Sequence, residues 1–305
     1  MQKALSGAVI ASAIALLSLP ALGADPRGYE FITVDLPAGL EPGGFYGTAG
    51  GINDRGWIVG AYVTPPNGFV SRAFLDTGRT FTTIDGLKAN GVNNRGTIVG
   101  IFLRTGGIIN TAGFIERNGK FTAIDVPGLP FGRAEGISNN GTVVGSVATN
   151  PRCFFQQHGF VRSARGDITM LELGFAFSTY LTGVNDEGVI VGHYDTGGCG
   201  RLTGFKRQPN GEASPIQVAG ASDTFANAIN DAGDVAGSYQ TATETHGFVL
   251  DREGFVTIDV PGASSTEVTG INNHGELVGQ FNDAKGLHIF VARPQEEEDQ
   301  DIAER

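Results

Sequence analysis

A chain of 305 residues, 40% hydrophobic and only 17% charged, has enough apolar material for one large folded domain. Its 47 glycines are about twice the usual ~7% share, and with no Gly-X-Y period and 13 prolines a collagen-like chain is excluded. The net charge of −11 argues against a nucleic-acid partner, which needs a basic surface.

In chain order, residues 1–24 read as a secretory signal. Lys3 supplies the positive start, Ala4 to Leu19 is apolar apart from small Ser and Gly residues, and Pro20 precedes the small-residue context Ala21-Leu22-Gly23-Ala24. An uncleaved anchor is the competing reading, but the stretch is short and interrupted for a spanning helix. No later segment is apolar enough to cross a bilayer, so no membrane span is expected after signal removal.

From Glu30 onward one segment recurs six times, starting at Gly51, Gly91, Gly136, Gly183, Ala228 and Gly270, at intervals of 40, 45, 47, 45 and 42 residues. Its form is Gly-Ile-Asn-Asx-x-Gly-x-Ile-Val-Gly. A short word ending in Phe74, Phe114, Phe160, Phe205, Phe248 or Phe290 keeps the same interval, as does a third run typified by Phe255-Val-Thr-Ile-Asp-Val260. Each unit predicts four strands. The Asn-Asx-x-Gly step reads as a hairpin turn in which Asn tolerates the left-handed region and Gly supplies positive φ. The period-two alternation of the third run is strand-like, and Pro261-Gly262 ends it as a type II turn. No helical period of useful length occurs.

A four-stranded unit of 40–47 residues matches a propeller blade, so the chain is expected to be all-β, a six-bladed β-propeller over residues 25–294. The ends complement each other. The chain enters on a fourth strand, Glu30 to Pro37, and leaves on a third, so the N-terminal outer strand joins three C-terminal strands and closes the ring. An open β-solenoid gives no reason for such ends. The Gly-Ile-Asn strand is then innermost. Residues 295–305 carry six acids against one Arg and read as an acidic, solvated tail.

At Ser71-Arg-Ala-Phe74, His158-Gly-Phe160, His246-Gly-Phe248 and His288-Ile-Phe290, with the Gly-Ile-Asn segment, the chain resembles the HAF-type extracellular repeat proteins over essentially residues 30–294. That resemblance implies a bacterial, exported protein, extracellular or periplasmic. It carries no activity and no site residues over to this chain.

Cys153 and Cys199 fall in the same loop of adjacent blades, which in an exported chain points to a disulfide, with two free thiols or a metal pair as alternatives. His158, His246 and His288 share one repeat position on the third strand, roughly 9–10 Å outside the innermost one. They are therefore too far apart to hold one metal at ~2 Å bond lengths. No metal and no cofactor is expected, and these histidines read as structural hydrogen-bonding groups. His193 and His274 read as isolated. Asp35, Asp85, Asp125 and Asp259 read as caps of the turns that follow them.

The face carrying the loops into the innermost strands is rich in aromatics, with Phe45, Tyr46, Phe131, Phe175, Phe177, Tyr180 and Phe225, and Phe154 and Phe155 beside Cys153. Arg133 and Glu135 add both charges. Gly50, Asn90, Glu135, Thr182, Asn227 and Thr269 stand just ahead of each inner Gly or Ala and are expected to line a wet channel mouth. Exposed aromatics with a few polar partners suit a glycan, peptide or envelope-protein ligand. A propeller hydrolase or lyase, with Glu135 as acid and Arg133 as cation, is the alternative. No nucleophile elbow, P-loop or zinc signature supports it.

Overall fold

The computed structural model describes residues 28–42, 49–63, 71–104, 110–148, 156–197 and 200–295. The signal segment, Phe45, Tyr46, Cys153, Cys199 and the tail beyond Gln295 lie outside the described residues. Among the described residues every regular element is a strand, and no helix is long and apolar enough to cross a membrane.

The strands form six antiparallel blades around one axis. The innermost strands of blades 1 to 6 are Ala49–Ile52, Lys88–Val92, Phe131–Ile137, Ser178–Val184, Asp223–Ile229 and Ser265–Ile271. Blade 1 also carries a two-residue strand, Glu41–Pro42, on its second strand. The ring closes as the chain ends foreshadow: Tyr29–Val34 is the outer strand of blade 6, in register from Tyr29↔Pro294 to Val34↔Ile289.

Two of the repeated words turn out to be one interaction. In every blade the Phe of the third strand stands directly opposite the Gly that ends the Ile-Val-Gly word, as in Gly145↔Phe160 and Gly192↔Phe205. All six of these Phe side chains are fully buried, each contributing about 1.5–3 kcal/mol by burial. In blades 2 to 6 the Phe ring lies so close over the Gly that an added Cβ would meet it at 2.7–3.0 Å. That same Cβ would collide with a carbonyl oxygen of the inner strand: those of Lys88, Arg133, Tyr180, Phe225 and Glu267. The approach is this tight because each inner strand bulges there, the pairing jumping from Ala89 to Gly91, Ala134 to Gly136, Leu181 to Gly183, Ala226 to Ala228 and Val268 to Gly270. The skipped residue is left unpaired and is the one the sequence pattern placed at the channel.

The Asn of the Gly-Ile-Asn word has a different role from the one its turn chemistry suggested. Positive φ falls on the turn glycines, Gly56, Gly96, Gly141, Gly188, Gly233 and Gly275, at +70° to +94°. Asn118, in another turn, is the one non-glycine with positive φ among the described residues. The repeat Asn is instead buried and divided between two jobs. Its Oδ1 accepts N–H groups of its own turn, as Asn53 does from Arg55 and Trp57. Its Nδ2 donates to the neighbouring blade's carbonyl: Asn53 to Asn93, Asn93 to Ser138, Asn185 to Asn230, Asn230 to Asn272 and Asn272 to Asn53, at 2.9–3.3 Å. Blade 3 has Ser138 there, and its link to blade 4 is made instead by Asn140, whose Nδ2 donates one carbonyl further on, to Asp186 O, at 3.0 Å. The next position makes a second ring, in which a backbone N–H donates to the side-chain oxygen of the following blade, as Asn273 N does to Asp54 Oδ1 at 2.8 Å. Burial pushes the Asp54 carboxyl up, but the Asn273 N–H and the Asn94 and Asn273 amides outweigh it and hold the group below its ordinary value.

Two of the four outer aspartates are corrected likewise. Asp259 takes His246 and Asp125 pairs with Arg104, as Glu172, at the same place in blade 3, takes His158 at 2.5 Å, so these groups tie third strand or loop to fourth strand rather than cap turns. His288 turns to Asp283 at 2.9 Å. The Pro261-Gly262 turn is as expected, with Gly262 at φ +79° and Ala263 N donating to Val260 O.

The glycine constraint has a direct check. Gly192→Ala is expected to cost about 3 kcal/mol by overpacking, lowering the thermal midpoint by several degrees. Gly174→Ala, where an added Cβ meets nothing within 4 Å, is expected to stay within about 0.5 kcal/mol of the parent. Equal midpoints for the two variants would refute the constraint.

Candidate functional site

Because the bulges recur at one level, they project one residue per blade toward the axis. Asn90, Glu135, Thr182, Asn227 and Thr269 line a small axial cavity of about 80 Å³, with Gly50 at the matching place in blade 1. Three of them bridge blades: Asn90 Nδ2 donates to Ala134 O at 2.9 Å, Thr182 Oγ1 to Ala226 O at 2.6 Å and Asn227 Nδ2 to Val268 O at 2.8 Å. Below lies a collar of Ile52, Val92, Ile137, Val184, Ile229 and Ile271, shared with a second cavity of about 60 Å³ toward the Asn-Asx rings. The polar level is therefore the floor of a cup that opens away from the hairpin turns.

The rim of the cup is set two residues earlier on each inner strand, by Lys88, Arg133, Tyr180, Phe225 and Glu267. The second strand adds the residues paired with three of these: Ser146 to Arg133, His193 to Tyr180 and Gln280 to Glu267. Half of the rim is aromatic. The His193 ring stacks on Tyr180, centroids 4.8 Å apart, and meets the edge of Phe225 at 5.2 Å. The other half is charged. Arg133 Nε lies 3.6 Å from Glu135 Oε1, and Gln280 Nε2 donates to Glu267 Oε2 at 2.7 Å.

The two halves act on each other. Burial pulls the Lys88 ammonium below its ordinary lysine value; Glu267 and Glu135 oppose that shift and Arg133 adds to it. Burial, with the Arg133 guanidinium as the smaller cause, lowers His193 to about 4. His193 is therefore a neutral imidazole at pH 7, and its buried Nδ1 has no hydrogen-bond partner among the described residues. A buried polar atom left unpaired costs about 1–3 kcal/mol.

Of the residues singled out by sequence, the fold brings Arg133, Tyr180 and Phe225 to this rim and Glu135 to the floor beneath Arg133. Phe131 starts the same inner strand two residues before Arg133, and Phe175 lies farther out, 62% exposed and edge-on to Tyr194 at 5.1 Å. Phe45 and Tyr46 lie outside the described residues. Sequence reasoning missed Lys88, Glu267 and Gln280, and it treated His193 as isolated. The available signal was the column two places ahead of the polar channel residue, which reads Thr48, Lys88, Arg133, Tyr180, Phe225 and Glu267. Among the described residues, no three His, Cys, Asp or Glu side chains converge as a metal site.

No family model matches the chain, and no curated protein matches it. Solved structures do. The chain is similar to TolB from Acinetobacter baumannii (TM-score 0.52, 12% identity, 78% of this chain and 64% of that one). It is also similar to a gluconolactonase from Xanthomonas campestris (0.51, 12%, 95% and 94%) and to the β-propeller domain of the Trilobed protease from Pyrococcus furiosus (0.50, 13%, 85% of each). At such identities the likeness establishes the propeller fold.

The neutral imidazole gives a pH test. A folded value near 4 lies below the ordinary 6.5, so the unfolded chain binds more protons between those values. This contribution to stability is complete above about pH 6.5 and is lost as pH falls toward 4. NMR titration of His193 is expected to show a neutral ring at pH 6, and Arg133→Ala to raise its pKa. An imidazole titrating near 6.5 would contradict the placement.

Proposed function

We propose that this chain is an exported binding module that seats a glycan or peptide group at the rim of the axial cup. The observation that carries the reading is the aromatic group of Tyr180, His193 and Phe225 beside a charged half made by Lys88, Arg133, Glu135 and Glu267. The aromatic half offers flat apolar surface to a sugar ring or an aromatic side chain. The neutral His193 ring, stacked on Tyr180, extends that surface and holds the two aromatic side chains in place. The charged half fixes orientation, since both signs stand within one opening. The resemblance to HAF-type repeats, carried by the Phe words, fits an exported protein.

One observation favours a second reading, a hydrolase or lyase at the same rim. Lys88 faces both Glu135 and Glu267, so Glu135 has the second carboxylate for which the sequence offered no neighbour. The fold is shared by a TolB and a gluconolactonase alike and does not choose between the readings.

The test is a glycan and peptide array probed with the purified chain and with Tyr180→Ala and Phe225→Ala variants. A hit weakened at least tenfold in both variants, with Glu135→Gln leaving no product unformed that the parent makes, supports binding without turnover. Unchanged binding in both aromatic variants overturns the reading. Turnover lost in Glu135→Gln establishes the second one.

A further inference from the structure

On the opposite face, at the hairpin-turn end, blades 2 and 3 leave between them a cleft of about 510 Å³. Four cations line it, Arg95, Arg117, Lys120 and Arg162, and no carboxylate among the described residues does. None of the four makes an ion pair among the described residues; Arg162 Nη1 reaches only Ser163 O, at 3.3 Å. Glu116, beside Arg117, faces the other side of its strand and accepts the Gly119 N–H at 2.6 Å. Asp167, in the neighbouring turn, accepts the Ser163 hydroxyl at 3.2 Å.

The arrangement runs against the chain's own economy. The protein carries a net charge of −11, yet here it gathers positive charge with no carboxylate among the described residues lining the cleft to balance it. Arg117 and Lys120 are directly opposed in the ladder, Lys120↔Arg117, across a turn whose Asn118 and Gly119 both have positive φ. Like charges held face to face by so tight a turn are destabilising. The corresponding cleft between blades 6 and 1 is built otherwise: Asp54 and Glu276 stand among its cations, and Arg293 Nε pairs with Glu276 at 3.1 Å. A local rule broken at one blade junction, with no compensating contact among the described residues, points to a contact made outside the protein.

We propose that the blade 2–blade 3 cleft is an oxyanion site for a small ligand bearing two or more phosphate or sulfate groups. Three guanidinium groups supply paired N–H donors that match the tetrahedral oxyanion, and Lys120 adds a point charge. The site is separate from the axial cup and stands whether or not that cup binds a ligand.

The experiment is calorimetric titration of the purified chain with tripolyphosphate and, in a second arm, with a trisulfated heparin disaccharide, at low and at raised salt. Saturable binding of either is expected, weakening with salt; the tighter of the two identifies the source of the oxyanion. Arg117→Thr with Arg162→Ala is expected to weaken binding at least tenfold while the thermal midpoint stays level or rises, because the opposed charges are relieved. Lys88→Ala with Arg133→Ala, at the cup, is expected to leave it unchanged. Absence of binding in both arms, binding untouched by the Arg117/Arg162 pair, or binding abolished by the cup pair instead each overturns the proposal.

Discussion

The molecule depends on a backbone contact that only glycine permits. At the end of each Ile-Val-Gly word in blades 2 to 6, one Cα sits beneath a buried Phe ring and against an inner-strand carbonyl. The ring seals the blade from within, and the carbonyl belongs to the residue whose side chain forms the cup rim. A side chain at that Gly would therefore do two things at once. It would lift the Phe out of the core and push the bulge toward the axis. Blade packing and rim geometry are one constraint, and this is why Gly and Phe keep step through six repeats.

Around that constraint the two ends of the axis are built on opposite principles. At the hairpin-turn end, Asn and Asp repeat almost without change, because each must satisfy its own turn and its neighbour's carbonyl within a closed circle of hydrogen bonds. Blade 3 is the exception: with Ser138 in the Asn position, the link to blade 4 passes to Asn140, which bonds the next carbonyl along, Asp186 O. At the cup end the same ladder positions hold Lys, Arg, Tyr, Phe and Glu, with no two alike. Symmetry supplies the frame there and its breaking supplies the chemistry.

That contrast explains what was legible in the sequence. Strand order, ring closure and the level of Asn90, Glu135, Thr182, Asn227 and Thr269 could all be read, because each rests on a feature repeated six times. The rim was read in part. Tyr180, Phe225, Arg133 and Glu135 stood out by residue type, whereas Lys88 and Glu267 looked like ordinary surface charges in a chain full of carboxylates. His193 could not be read, since its neighbours are Tyr180 across one strand pair and Phe225 on the next blade, 32 residues away in the chain. The Asn of the repeat was assigned to the wrong task because turn propensity and inter-blade bonding favour the same residue. Asp259 and Asp125 were misread for a related reason. Their partners, His246 and Arg104, lie 13 and 21 residues upstream, in segments whose register no local pattern fixes.

The way the ring is closed also decides how it responds to load. Tyr29 pairs with Pro294 and Gln295 N donates to Gly28 O, so the first and last described residues leave the ring at the same edge. A pull applied through these two flanks acts across the ladder, not along it, and meets its hydrogen bonds one at a time from the Tyr29–Pro294 end. The outer strand of blade 6 would thus peel like a zip, at low force, while the Phe-sealed inner strands stay in place. A propeller tethered by one flank alone feels no such peeling.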